Sequence, residues 1–504
     1  MSSYIHTPDT INLQDVVNNN YTLSSSQYVK LILPNDNYMY VRDFLNRPLS
    51  RKDLGIEVGS LNYTEKSPYH FIRTKALQEN SFLININDET SLPIMPSEFV
   101  QMNLKEDDLL ISKDSNIGEI VILDKDYNDC MISGGIYKLP VNEKWRYYLL
   151  AFIKHDIFRE QLDIMVPKGA TIRHAKTKFL DCKIPLPYNN NESVIKYVTL
   201  LTKAIVNKEK CIKERHSKIL NLIELELKEN QRPISFSYQL PRYFNILEIG
   251  RLDTGLYNDK YKKLEFILTN YINDCTKLSE KGYRVLRGPN LAVSVIGPTH
   301  YAESLLSEKY YKLIQGVDLS EYGTVLRQRF FGNKNDIQLL KEGDILFSAE
   351  GSIGKVYITI DLKDRAVTNY HGMSITNPEA TIIEKCFVGC FFFWLRKNGW
   401  FDYYSVGGQG GSFGKEKTEN LLIPNFPDEK QREIALLYHN DVSYNLCDAT
   451  LDNFIELDDY YNLNAGIYEL DKTKKILTER LNKTIDDIIN CRNVDIVFPK
   501  TEKL

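Results

Sequence analysis

The chain has 504 residues, of which 43% are hydrophobic and 26% charged, with a formal net charge of −4 and a pI near 6.1. That length exceeds what a single hydrophobic core normally serves, and that apolar content excludes wholesale disorder, so two or three folded domains are expected. The acidic balance excludes nonspecific coating of nucleic acid but leaves room for a local basic groove.

The opening residues, MSSYIHTPDTINLQD, lack a basic start and an apolar core, so no signal peptide is expected. No apolar run approaches membrane-spanning length either. The eight cysteines are scattered, and only Cys386 and Cys390 lie close, without the second pair a zinc site needs. Free thiols in a reducing cytoplasm are therefore expected. The histidines, among them His6, His70 and His155, show no metal-ligand spacing, so no metal site is expected.

Taken in chain order, the elements come twice. LSSSQY at 23–28 returns as RLDTGLY at 251–257, YHFI at 69–72 as YKLI at 311–314, and GATI at 169–172 as GGSF at 410–413. Between them, KEDDLLISKDSNIGEIV at 105–121 returns as KEGDILFSAEGSIGKVY at 341–357, identical at seven of seventeen positions without a gap. Collinear matches at offsets of 242, 236 and 241 indicate duplication, one fold used twice.

Within each copy, β-branched and aromatic runs punctuated by Gly, Asn and Asp predict a mixed α/β domain. DILFSAEGSIGKVYITI reads as a strand at 344–348, a turn at 349–352 and a strand at 353–360. Ser112 and Ser348 read as strand-end hydroxyls bonded to the turn, and Gly118 and Gly354 as positions without room for a Cβ. CFVGCFFFWL at 386–395 reads as a buried helix or strand.

Residues 191–230 contain neither Pro nor Gly and place Val198, Ile205, Ile212 and Ile219 seven apart, with Leu201 and Leu222 three residues after two of them. This predicts a helical rod of roughly 60 Å, its seam interrupted by Lys208 and Arg215. After the second copy, 428–458 is predicted helical from Leu437, Tyr444 and Leu451, with Cys447 and Phe454 filling the intervening positions. A further helix at about 471–491 carries Leu477, Leu481, Ile485 and Ile488 on one face.

Four features, in this order and largely duplicated, resemble the specificity subunits of type I restriction-modification systems, over nearly the whole chain. They are RLDTGLYNDKY at 251–261, GDILFSAEGSIGKV at 343–356, GGQGGSFGKEKTENLLIPNFP at 407–427, and the helix opening PDEKQREI at 427–434. In the first copy LLISKDSNIGEI lacks the turn Gly, and KGATIRHAKTKFLDCKIPLP replaces the Gly-rich loop. The resemblance implies an α/β (α+β) chain with two target-recognition domains, 1–190 and 231–427, in pseudo-twofold arrangement. Long antiparallel coiled-coil-like helices, 191–230 and 428–504, join them and act as a ruler.

Each domain is then expected to dock one part of an interrupted site in double-stranded DNA. The helices are expected to assemble two modification (methyltransferase) subunits, which restriction/translocase subunits join, and no membrane is involved. S-adenosylmethionine, ATP and magnesium belong to those partners, so this chain is expected to hold no cofactor and to be no enzyme. Consistent with that, ILEIGRLDTG has a single early Gly, and the sequence holds no N/D-P-P-Y/F tetrapeptide, Walker loop or P-D followed by E-x-K. The alternative is the recognition subunit of a related restriction-methylation defence system with catalysis in a separate chain.

Sequence readout needs Arg, Lys, Asn or Gln at base edges, and phosphate contacts need cations or backbone amides. The most one-sided run, KGATIRHAKTK, offers Lys168, Arg173, His174, Lys176 and Lys178 and no acid. Its counterpart offers Gln409, Ser412, Lys415 and Lys417 among glycines that allow backbone approach. Arg327, Arg329 and Lys334 beside a turn, and Arg73 and Lys75 in the corresponding region of the first copy, complete the candidate set. A solvated loop or hairpin with ordinary charges is the competing reading for each.

Overall fold

The computed structural model describes residues 4–23, 28–166, 174–405 and 411–498. The chain forms two compact units, one of residues 1–210, 443–463 and 472–504, the other of 211–442 and 464–471. Each unit therefore combines one copy of the repeat with separate pieces of the later helices.

In the first unit the strand Leu109–Ser112 lies between Ile120–Ile122 and Ile136–Leu139, antiparallel to both. In the second, Ile345–Ser348 lies between Val356–Ile358 and Gly372–Thr376 in the same way. Register repeats along with order: Leu109 faces Ile122 and Leu139, while Ile345 faces Ile358 and Ile375, every residue shifted by 236. The two central strands, LLIS and ILFS, open on three consecutive apolar residues because both faces are covered; all four residues of each are buried.

A parallel pair repeats too, His70 facing Cys130 in one unit and Lys312 facing Ala366 in the other. Beneath these sheets the cores coincide, with Ile72, Leu77, Leu104, Leu110 and Cys130 answered by Ile314, Leu319, Leu340, Leu346 and Ala366. Even a close backbone approach is duplicated. A Cβ on Gly55 would lie 2.1 Å from the Ser133 carbonyl oxygen, and one on Gly288 would lie 2.1 Å from that of Asn369. Backbone cannot yield as a flexible side chain can, so both positions require Gly.

The strand–turn–strand is tighter than expected: the second strand is Val356–Ile358, not 353–360. Gly354, at φ +82°, folds back so that its amide donates to the Ser348 carbonyl at 2.9 Å, which keeps residues 349–355 in the turn. CFVGCFFFWL lies within the helix Ile382–Lys397, where Cys386 through Leu395 are all buried. All eight cysteines are free thiols.

Of the expected spacer helices, the first is one helix, Asn191–Glu229, and the last is Ile467–Ile489 with Leu477, Leu481, Ile485 and Ile488 buried. The helix expected at 428–458 is not continuous. It ends at Tyr438 and resumes at Phe454. The intervening residues are rich in Asn, Asp, Ser and Thr, whose side chains bond nearby backbone instead: Asn445 accepts from the Cys447 amide, Asn453 from that of Thr450, and the Thr450 hydroxyl from that of Asp452. Such bonds compete directly with the helical ladder, and they override the sevenfold apolar spacing.

On the long helix the apolar stripe follows Ile219, Ile223 and Leu227 rather than passing through Leu222, as a straight 3.6-residue helix drifts off a seven-residue repeat. Lys208 does not weaken the seam by reaching solvent. It is wholly buried, with its Nζ 2.8 Å from Asp458, itself wholly buried, and 2.8 Å from the Asn462 oxygen. Tyr444 donates to the same carboxylate at 2.7 Å, and the Tyr444 and Tyr461 rings lie 4.6 and 4.8 Å from the ammonium. Within this unit Lys474 approaches Glu209 at 3.7 Å and Arg480 donates to Tyr197 at 2.9 Å, so the final helix runs antiparallel to the first part of the long one.

Removing one partner of a buried ion pair strands the other, at a cost of about 3–5 kcal/mol. Lys208→Met should therefore lower the thermal midpoint sharply, and adding Asp458→Leu should restore much of it. A double variant less stable than either single one would refute this account.

His216, on the part of the long helix in the second unit, packs edge-on against Tyr322 and Phe393, its Nε2 sealed from solvent without a hydrogen-bond partner among the described residues. Burial pulls its pKa down to about 4, with Lys397 adding and Glu321 opposing. The fold thus holds it neutral, and below its ordinary value near 6.5 the unfolded chain takes up a proton that the folded one refuses. Stability from this residue is complete above pH ~6.5 and falls by about 2–3 kcal/mol towards pH ~4. Urea midpoints at pH 7.5 and 5 should differ less in His216→Phe than in the unaltered chain, and an equal pH response would contradict the assignment.

Candidate nucleic-acid interface

The turns of the two copies carry an acidic residue at the same place, Asp114 after Ser112 and Glu350 after Ser348. In each the Ser hydroxyl donates to the carbonyl of that acidic residue, at 2.7 and 3.3 Å, which fixes the turn from within. A later segment pairs with it through a single antiparallel bridge, His174 in the first unit and Ser412 in the second. This is where two residues from the loops expected to touch DNA come to rest.

The carboxylates collect basic side chains. Asp114 accepts from Lys113 and lies 2.6 Å from His174 Nδ1. Glu350 accepts from Arg287 and lies 2.5 Å from His371 Nδ1. Burial raises the Glu350 pKa, but the hydrogen bond from His371 and the charge of Arg287 outweigh it and hold the carboxyl below its ordinary value. Arg287 also lies over the Tyr370 ring at 4.5 Å.

The other candidates are dispersed. Lys168, Arg173 and Gln409, with the glycines at 407–410, lie outside the described residues, as do 169–172 and residues 24–27 of LSSSQY. Arg73 is exposed at the start of the turn Thr74–Ala76, and Lys75, one residue into it, pairs with Glu89. Lys176 is exposed at φ +51°, and Lys178 donates to the Met165 carbonyl that ends a helix.

In the second unit Arg327 stands 3.9 Å from Glu303 with both side chains in solvent, Lys334 is exposed, and Lys415 faces Glu419 at 3.6 Å along its own helix. Two candidates are committed to the fold. Arg329 Nε donates to both oxygens of the buried Asp318 at 3.0 Å. Lys417 donates to the Tyr404 carbonyl at 2.9 Å, where Arg251 of RLDTGLY also reaches the carbonyls of Tyr404 and Ser405. Two cations at a helix C-terminus neutralise its partial negative charge, and burial next to Arg251 lowers the Lys417 pKa.

Lys113, Arg287, Tyr370 and His371 belong to no basic run of the sequence. The available signal was the acid itself, which occupies equivalent positions of the two aligned turns.

Arg329→Ala removes the hydrogen-bonded partner of the buried Asp318, a loss of about 1–3 kcal/mol because the Arg side chain is itself partly in solvent, whereas Lys334→Ala and Lys176→Ala remove only solvated charge. Thermal melts should show a large drop for the first and shifts within about 0.5 kcal/mol for the others; a stable Arg329→Ala protein would leave that side chain available for another role.

No family model and no curated protein matches the sequence. Among solved structures, the chain is similar to the type I restriction-modification S subunit from M. genitalium, with 12% identity over 92% of this chain and 96% of that one and a TM-score of 0.39. It is also similar to a chain of a type I R-M system, with 12% identity, coverage of 90% and 98% and a TM-score of 0.28. A third similar structure is the HsdS subunit from Thermoanaerobacter tengcongensis, with 11% identity, coverage of 90% and 96% and a TM-score of 0.26.

Proposed function

We propose that this chain is the non-catalytic DNA-recognition subunit of a type I restriction-modification assembly, reading one part of a bipartite duplex site with each copy of its repeat. One observation carries the reading: the two copies keep the same strand register and core while changing the charged side chains at their turns. Duplication with a constant core and divergent rim suits two sites that share backbone geometry and differ in bases, since phosphates position a protein and base edges specify it. The sequence resemblance of RLDTGLYNDKY and GDILFSAEGSIGKV supports the same assignment.

In this reading residues 1–190 and 231–427 are the recognition domains, and 191–230 and 428–504 are spacers on which two modification subunits and the restriction translocase assemble. Methyl transfer and ATP-driven cleavage, with S-adenosylmethionine, ATP and magnesium, belong to those subunits in the cytoplasm. Among the described residues no helix is long and apolar enough to cross a membrane.

Replacing residues 1–190 by those of a homologue should change one half of the methylated motif read by long-read sequencing and leave the other half intact. A change in both halves would show that the copies do not read independently.

A further inference from the structure

Each copy of the repeat holds one exposed imidazole on its turn carboxylate, and the two imidazoles come from different segments. His174 comes after the helix Asp156–Met165 in sequence, whereas His371 immediately precedes the strand Gly372–Thr376. Both nevertheless bind by Nδ1, at 2.6 and 2.5 Å, with side chains 59% and 62% exposed above carboxylates only 18% and 28% exposed. The position of His371 in the first copy, 236 residues earlier, is Gly135, and its neighbour Tyr370 corresponds to Gly134. Arg287, which precedes the duplicated Gly288, corresponds to Leu54, which precedes Gly55. The turn carboxylate thus holds an imidazole in both copies, but from opposite sides: His174 stands where the second copy has Ser412, on the segment that bridges the turn, and His371 where the first has Gly135, whose carbonyl accepts from the turn's Lys113 as that of His371 does from Ala349.

A structural role does not account for this arrangement. Exposed ion pairs contribute little to stability, and an imidazole with most of its surface in water closes no core. Its geometry does fix chemistry: with Nδ1 directed at a carboxylate, a neutral ring carries its proton on Nδ1, which makes Nε2 the acceptor. Neighbouring groups complete each setting: Lys113 also pairs with Asp114 in the first copy, while in the second Arg287 also pairs with Glu350 and the Tyr370 ring lies edge-on to that of His371. An oriented ring nitrogen can meet a hydrogen-bonding group on a base edge with its rotamer already chosen, which reduces the ordering cost of binding.

Building on the recognition reading above, we propose that His174 and His371 are each a base-edge contact to duplex DNA, one for each half-site, and that the equivalent carboxylates Asp114 and Glu350 are positioning residues that aim them. Because the other side chains around the two rings differ, the two contacts serve different base pairs.

The test uses the full chain bound to its modification subunit and a pool of randomised duplex DNA, with the enriched motif read by sequencing. His371→Ala should relax preference at a base pair in one half of the motif by about fivefold or more and leave the other half unchanged, a good base contact being worth that much discrimination. His174→Ala should do the same in the opposite half. Glu350→Gln and Asp114→Asn should each act in the half of their own histidine, and His371→Ala should have a smaller effect in the Glu350→Gln background than alone. Unchanged melting midpoints of the exposed histidine variants establish that the fold is intact.

Loss of affinity that is uniform across all sequences, or no change in either half, overturns this inference while leaving the recognition function standing. Failure of the unaltered complex to enrich any motif overturns the recognition function itself.

Discussion

One backbone clasp sets the geometry of both copies. The amide of Gly118 donates to the Ser112 carbonyl and that of Gly354 to the Ser348 carbonyl, each at 2.9 Å. The glycines sit at φ +81° and +82°, where an L side chain is strained, and a Cβ there would come within 2.4 Å of Leu162 or 2.3 Å of Phe401. The clasp therefore does two jobs. It reverses the chain so that the flanking strands pair in one register, and it lets a helix from later in the copy close over the turn. The carboxylates of Asp114 and Glu350 stand on that turn, so their placement follows from the clasp rather than from anything in the loops they meet.

The duplication was legible in the sequence because the clasp demands particular residues. Gly at the crossing, Ser at the strand end and apolar residues at Leu110 and Leu346 each answer a local requirement, so they recur at a fixed offset that an ungapped comparison finds. The spacer helices were legible where periodicity agreed with local propensity, as at 191–229, and failed at 439–453, where Asn and Thr side chains take the backbone amides. Lys208 was misjudged for a related reason. Its residue type argues for solvent, and only the fold supplies the carboxylate, amide and two phenol rings that allow a buried ammonium.

The interface was less legible because charge in sequence is not charge at a surface. Arg329 and Lys417 are as basic as any candidate, yet each directs a donor to an internal acceptor. Conversely, Arg287 and His371 lie 84 residues apart and meet at Glu350. An acid at the centre of a proposed DNA contact runs against a search for positive runs, although a carboxylate is what a flexible cation needs in order to hold one orientation before its ligand arrives.

The contrast between the two copies follows from what each position must satisfy. Ile72 and Ile314, or Leu104 and Leu340, fill equivalent space in a close-packed core, where a change of volume is costly. Leu54 and Arg287 occupy equivalent backbone, but the fixed requirement there falls on the following Gly, whose Cβ would strike a carbonyl. The preceding side chain is released from packing and can become a cation in one copy and an alkyl group in the other. Gly135 and His371 likewise share their backbone, each carbonyl accepting from the turn's Lys113 or Ala349 amide, while the side chain differs. A scaffold whose constraints fall on alternate, identifiable positions can change its rim without repacking its core, and this lets one duplicated fold present two different surfaces to a ligand.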